Sequence, residues 1–210
     1  MTVEETSGTQ LMVALDAVEG AEERLAALLA AVPVSSVVVN VREGGRSGLG
    51  RLVESVQGRG AAVLIADDVQ LARVVNADGV HLGYGETILE SYETARAVLG
   101  GKAIIGADAG RSKHDAMTLG ELGADYVAFG IPPFVKDRET AGQRQLELVA
   151  WWAEIFEVPS VAMDVADLAQ AEALAAAGAD FVCLQLEAGR AAADLVDEAR
   201  SWIAALANAR

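Results

Sequence analysis

The chain has 210 residues and a mass of 21.8 kDa, 52% of it hydrophobic and 22% charged, which suffices for one sizeable core and excludes a disordered chain. Its formal net charge of -15 and the absence of a basic stripe interleaved with aromatics exclude nucleic acid as a partner. No stretch approaches the roughly 18 apolar residues of a membrane span, residues 1–10 lack the basic and apolar regions of a signal peptide, and the sole cysteine, Cys183, allows no intrachain disulfide, so a cytoplasmic protein is predicted.

Taken in chain order, short β-branched or apolar runs alternate with longer Ala/Leu/Glu-rich stretches of helical period, the pattern of a parallel sheet built from βα units. Strands are predicted at residues 11–17, 36–41, 62–67, 79–83, 103–107, 125–130, 160–163 and 180–185, each followed by a helix. The first helix, residues 21–32, puts Leu25, Leu28, Leu29 and Val32 on one face and Glu22 and Glu23 near its start, where the helix dipole favours them. The last, residues 191–208, repeats the design with Leu195, Ala199, Trp202, Ile203 and Leu206. Cys183 lies in an apolar run with Phe181, Val182 and Leu184 and reads as a buried structural thiol. The aromatics Trp151, Trp152 and Phe156 read as packing of an outer helix, and as a candidate patch for self-association into a homodimer.

A weak repeat, Ala77-Asp78-Gly79-Val80, Ala124-Asp125-Tyr126-Val127 and Ala179-Asp180-Phe181-Val182, ends a helix and opens a strand at successive even-numbered units. Eight regular units with no reversal of order predict a single domain over residues 1–210, an α/β fold of the eight-fold (β/α) barrel type, with a doubly wound open sheet as the alternative.

In such barrels chemistry sits at the carboxyl ends of the strands. There the sequence places Asp16, Asn40 with Arg42 and Glu43, Asp67 with Asp68, His81 with Glu86, Asp108, Lys136, Asp164, and Gln185 with Glu187. Taken singly these have plain structural readings: Asp68 as a helix cap, His81 as a hydrogen-bonded histidine at the rim, Glu187 as a solvated carboxylate. Together, clustered carboxylates cost free energy unless a cation or protons compensate, which makes a magnesium-type site a hypothesis. The glycine-rich segment from Arg42 to Gly48 reads equally as a phosphate cradle and as an ordinary loop, and Lys136-Asp137-Arg138, in a loop predicted over residues 131–143, is a second candidate anion grip.

The run Leu64-Ile65-Ala66-Asp67-Asp68-Val69-Gln70-Leu71-Ala72, followed by Ala77-Asp78-Gly79-Val80-His81-Leu82-Gly83, resembles thiamine phosphate synthase and the related thiazole tautomerases. Ile104-Ile105-Gly106, the run from Gly123 to Gly130, and Gly178-Ala179-Asp180 extend the resemblance over nearly the whole chain. It implies a transferase that joins an aminopyrimidine diphosphate to a thiazole phosphate, releasing diphosphate with the help of Mg2+, and thus small phosphorylated heterocyclic substrates as partners. On the resemblance, Arg42, Asn40 and Lys136 stand at substrate-binding positions, and Asp67 and Glu86 at the metal positions. The chain also departs from the family pattern: Gly44 replaces a basic residue, Ala66 an asparagine, Tyr84 a glutamine, Asp108 a serine facing the diphosphate, Asp164-Val165 a Gly-Gly pair facing the thiazole phosphate, and Leu186 a serine of the last strand. The alternative function is a divergent member without synthase activity, either tautomerising a thiazole, with Asp108 or His81 carrying the proton, or binding a small ligand without chemistry; His114, at a helix start, is a weaker proton carrier.

Overall fold

A computed structural model describes residues 8–42, 45–132 and 134–209. Its strands are β1 (Gln10–Asp16), β2 (Ser36–Asn40), β3 (Ala62–Ala66), β4 (Gly79–Leu82), β5 (Ile104–Asp108), β6 (Tyr126–Phe129), β7 (Ser160–Ala162) and β8 (Phe181–Leu186). The helices are α1 (Ala21–Ala31), α2 (Leu49–Gln57), α3 (Val69–Val74), α4 (Ile88–Leu99), α5 (Lys113–Glu121), α6 (Arg138–Ile155), α7 (Leu168–Ala176) and α8 (Ala192–Asn208). All strands pair in parallel with their sequence neighbours, and β1 pairs with β8, so the sheet closes into an eight-stranded barrel and the open sheet is excluded. The predicted elements recur with shifts of a residue or two at their ends. The one larger difference is that α6 begins at Arg138, so half of the loop predicted over residues 131–143 is helix, started by Asp137 accepting from the Thr140 amide at 3.0 Å.

Strand side chains alternate between two cores. One face packs outward under the helices, joining Val13, Val37, Ile65, Ile105, Val127 and Leu184 to Leu25, Leu148, Trp152 and Trp202. The other fills the barrel with Met12, Val38, Leu64, Tyr126, Ala128, Val161 and Cys183. Cys183 is buried there, as the sequence predicts, and burial pushes its thiol well above the usual range. Tyr126 is the largest of the interior group and lies across Gly106 of the neighbouring strand; a Cβ at Gly106 would collide with the phenol ring. Trp152 is fully buried and stacks on Phe156 with ring centroids 4.0 Å apart, which leaves Trp151 half-buried beneath Lys113 and Ile155 exposed.

The internal repeat has a physical account. Asn76, Gly123 and Gly178 adopt left-handed conformations after α3, α5 and α7. The next amide, of Ala77, Ala124 or Ala179, then bonds back to Ala72, Leu119 or Leu174 at 3.0, 3.0 and 3.1 Å, closing the helix end. The aspartate that follows reaches sideways to the preceding strand: Asp78 accepts from the Val63 amide at 2.7 Å, Asp125 from Ile105 at 2.8 Å and Asp180 from Ser160 at 2.9 Å. Strands β4, β6 and β8 are thereby each pinned to the preceding odd strand at the amino-terminal end of the barrel. No helix of the described residues is long and apolar enough to cross a membrane.

Candidate functional site at the barrel mouth

At the carboxyl ends of the strands lies a cavity of about 410 Å³ lined by Asn40, Asp67, His81, Tyr84, Asp108, Phe134, Met163, Asp164 and Gln185 among others. Of the residues predicted for the site, Asn40, Asp67, His81, Asp108 and Asp164 meet here. Arg42, Lys136 and Glu86 are exposed and line no part of it. Arg42 faces a separate cleft of about 540 Å³ between the loops after β1 and β2 and pairs with Asp16 at 3.2 Å. Glu43 and Gly44 of the glycine-rich segment fall outside the described residues. Gln185 turns inward at the end of β8 while Leu186 belongs to the outer core, so the strand-end position assigned by resemblance to Leu186 is occupied, as a cavity residue, by Gln185.

Three carboxylates stand at the ends of the odd strands β3, β5 and β7, and each is tied to a backbone amide of a neighbouring loop. Asp67 Oδ1 accepts from Gly83 at 2.7 Å, Asp108 Oδ1 from Gly110 at 2.7 Å and Gly130 at 3.0 Å, and Asp164 Oδ2 from Ile131 at 2.9 Å. Asp67 and Asp164 adopt φ of 55° and 54°, conformations that cost L-residues free energy and that gather at functional sites. Asp68 caps α3 by accepting from the Leu71 amide at 2.9 Å, in line with its structural reading.

Asp108 and Asp164 converge over Gly130. A Cβ placed there would lie 2.8 Å from Asp164 Oδ2 and would collide with Asp108 Oδ2, so only glycine leaves room for both carboxyl groups. Burial pushes Asp108 up to about 7, with the neighbouring Asp164 and Asp67 adding repulsion against the Gly110 and Gly130 amides. Asp164 is raised as well, by burial of its carboxylate, opposed by the Ile131 amide and by Arg138. Asp108, with its carboxyl group pushed up to about 7, meets one condition for general acid or base work near neutral pH.

Beneath them His81 is 5% exposed, with Nδ1 2.8 Å from the Tyr126 hydroxyl. Burial lowers it to about 4, against the pull of Asp67, so the ring is neutral at physiological pH. A support that the strand-end reading missed is Gln145 of α6, which donates to the carbonyls of Phe129 and Met163, both at 2.6 Å, and accepts from Gln170 at 2.8 Å. It fixes the ends of β6 and β7 and thereby Asp164; its only signal in sequence is a glutamine on an otherwise amphipathic helix. Arg138 donates to the carbonyls of Ile131 and Asp164 at 3.0 and 3.4 Å, so the predicted anion grip spends this guanidinium on the loop itself.

No group of three or more His, Cys, Asp or Glu among the described residues is arranged to hold a metal ion. What fits is a single hard donor, Asp67, with Oδ2 unpartnered among the described residues, suited to an ion that keeps most of its water and binds substrate phosphate.

A closed (β/α) barrel with its polar groups gathered around a cavity at the carboxyl ends of the strands is an architecture that holds small-molecule sites at that end. Residues 16–187, from the last residue of β1 to the residue after β8, match the family model described as thiamine monophosphate synthase, and the chain belongs to that family. The thiamine-phosphate synthase of Rhodospirillum centenum is 38% identical over 166 residues, 76% of this chain and 78% of the relative. That of Erythrobacter litoralis is 41% identical over 140 residues, 64% of each chain, and that of Hyphomonas neptunium 44% over 128 residues, so the chain spans less than two thirds of these two relatives. The thiamine phosphate pyrophosphorylase from Pyrococcus furiosus shares the fold, with a TM-score of 0.76 at 21% identity over 95% of this chain and 96% of the other.

Proposed function

We propose that the protein is a thiamine phosphate synthase-type transferase, joining an aminopyrimidine diphosphate to a thiazole phosphate with release of diphosphate. The observation that supports this reading is that the family match contains the carboxyl end of every strand, and every residue lining the mouth cavity except Ala14. In this proposal Asn40 positions a ring, and Arg42 and Lys136 hold the diphosphate, Arg42 exchanging its Asp16 partner for phosphate. Asp67 holds magnesium together with the substrate's own phosphate oxygens, and Glu86 joins as a second carboxylate. When bound, the ion offsets charge on the departing diphosphate. Mass-spectrometric detection of the joined product, with both substrates and magnesium present, tests the reading; no product above the enzyme-free rate would sink it.

A second reading is favoured by one specific observation, the two carboxyl groups over Gly130. Placed where a family member would meet anions, they disfavour phosphate by about 1 kcal/mol or more each at an effective dielectric near 20. They favour proton transfer on a heterocycle, as in a thiazole tautomerase-like isomerase, or binding without chemistry. Incubation of thiazole phosphate in heavy water with the protein should then exchange ring or adjacent C–H groups, and the Asp108→Asn variant should abolish the exchange; an unlabelled substrate would remove the isomerase.

A further inference from the structure

The turn after β7 is held from outside the barrel. Asp164 keeps a left-handed φ of 54°, a conformation that costs an L-residue free energy and persists only where its surroundings over-determine it. Those surroundings include two glutamines that line no part of the mouth cavity. Gln145 of α6, 2% exposed, donates through Nε2 to the Phe129 carbonyl and to the Met163 carbonyl just before Asp164. Its Oε1 accepts from Gln170 of α7 at 2.8 Å, and Gln170 Oε1 in turn accepts from the Ala166 amide, just beyond Asp164, at 2.8 Å.

The direction of this relay is forced. An oxygen in place of Gln145 Nε2 would face two carbonyl oxygens at 2.6 Å with no hydrogen between them, so the amide nitrogen points at the strands and the amide oxygen points outward. That oxygen takes its hydrogen from the Gln170 nitrogen, which leaves the Gln170 oxygen for Ala166. Gly142 gives the relay room, since a Cβ there would lie 3.1 Å from Gln170 Nε2. Asp167 fixes the root of Gln170 by capping α7, accepting from the Gln170 backbone amide at 2.9 Å. The residues on both sides of Asp164 are thus gripped by one chain of amides that starts on the outer helix layer, where Gln170 lines a groove between α6 and α7. At its inner end Asp164 Oδ2 accepts from the Ile131 amide at 2.9 Å and shares the space over Gly130 with Asp108.

We infer that Gln170 is a positioning residue for the mouth: through Gln145 it holds the left-handed turn at Asp164 and thereby sets where this carboxyl group stands over Gly130. The inference concerns a residue outside the cavity and holds whatever ligand the cavity takes; only its kinetic consequence rests on the transferase reading.

Backbone amide hydrogen exchange of the intact chain, read residue by residue, separates this role from general structural support. The Ile131 amide reports the bond to Asp164, whereas Gly83 and Val63, tied to Asp67 and Asp78, report the rest of the barrel. In Gln170→Leu the Ile131 amide should exchange about tenfold faster or more than in the parent, with Gly83 and Val63 within about twofold. Gln145→Leu should do the same, and the double variant should add little to either, because the two side chains act as one device. Gln170→Glu, of the same shape but with no N–H to give, is the second Gln170 variant and carries the same expectation. Gln143→Glu adds the same charge to the same groove off the relay and should leave Ile131 as in the parent. Equal acceleration at all three amides, an unchanged Ile131 amide in a folded Gln170 variant, or acceleration of Ile131 in Gln143→Glu would each overturn the inference. In the synthase assay Gln170→Leu should raise KM about threefold or more for one substrate, the one that meets Asp164, and leave the other within about twofold. An equal change in both would overturn the inference as well, whereas a parent that forms no product removes the transferase reading and leaves the exchange result to decide.

Discussion

Replacing Asp108 by asparagine gives the most direct test of the mouth electrostatics, because the effect must change with pH in one sense only. Asp108 titrates at about 7 in the fold and at 3.8 when unfolded, so an ionised Asp108 costs the folded chain on the order of 4 kcal/mol at pH 8. The folded pKa is raised, so the unfolded chain releases the proton first. Stability therefore falls as pH rises from about 4 to about 7 and is level beyond. Asparagine keeps an oxygen to accept from the Gly110 and Gly130 amides and presents an N–H2 towards Asp164, without the ionisation cost. Urea unfolding should show parent and variant within about 1 kcal/mol at pH 4.5, and the variant more stable by about 2–4 kcal/mol at pH 8. A difference of equal size at both pH values, or a variant less stable than its parent at pH 8, would refute the reasoning.

Gly106→Ala should drive a Cβ into the Tyr126 ring and destabilise the barrel by about 1–3 kcal/mol, read as a lowered thermal midpoint; an unchanged midpoint would mean that the ring shifts freely. Tyr126→Phe should remove the bond to His81 Nδ1 and cost about 1–3 kcal/mol in urea unfolding, since a buried nitrogen is left without its partner. For His81 itself, the folded pKa of about 4 lies below the ordinary 6.5, so its contribution to stability is present above pH 6.5 and is lost as pH falls towards 4. Nitrogen-15 spectra of the imidazole should accordingly show a neutral ring at pH 6, and a charged ring there would contradict the burial argument. Gln145→Leu should leave the Met163 carbonyl unpaired and the Phe129 carbonyl with only the Met163 amide, lower the thermal midpoint, and weaken ligand binding at the mouth through Asp164.

The barrel was legible because its signal is repetitive: eight apolar runs at βα spacing leave few alternatives, and strand ends shifted by only a residue or two. The positions of Asp67, His81, Asp108 and Asp164 at the mouth were legible for the same reason, since a residue at a strand's carboxyl end has only one place to go. What they do there was less so. Sequence offered no sign that Asp108 and Asp164 lean over the same glycine, because that contact joins β5 and β7 across β6. The first turns of α6, from Arg138, were hidden by the polar run Lys136-Asp137-Arg138, which reads as loop until Asp137 is recognised as a cap. Arg42 and Glu86 were assigned by likeness to a pattern; Arg42 pairs with Asp16 and Glu86 is exposed, both outside the lining of the mouth cavity, so geometry alone would not have singled them out.

The aspartates that pin even strands to odd ones also divide the chain into modules. Their bonds span 15, 20 and 20 residues, short loops whose closure costs little entropy, so β3–β4, β5–β6 and β7–β8 can each dock as a local unit before the ring is complete. Closure of β8 on β1, by contrast, joins residues 170 apart through Thr9 and Ala179 and belongs to the end of assembly. The barrel therefore has seams as well as staves: a permutant with joined termini and a new opening between β4 and β5, or between β6 and β7, keeps all three modules whole, whereas one opened between β5 and β6 makes the Asp125 bond a contact between the two ends of the chain and starts its folding with a module in two pieces.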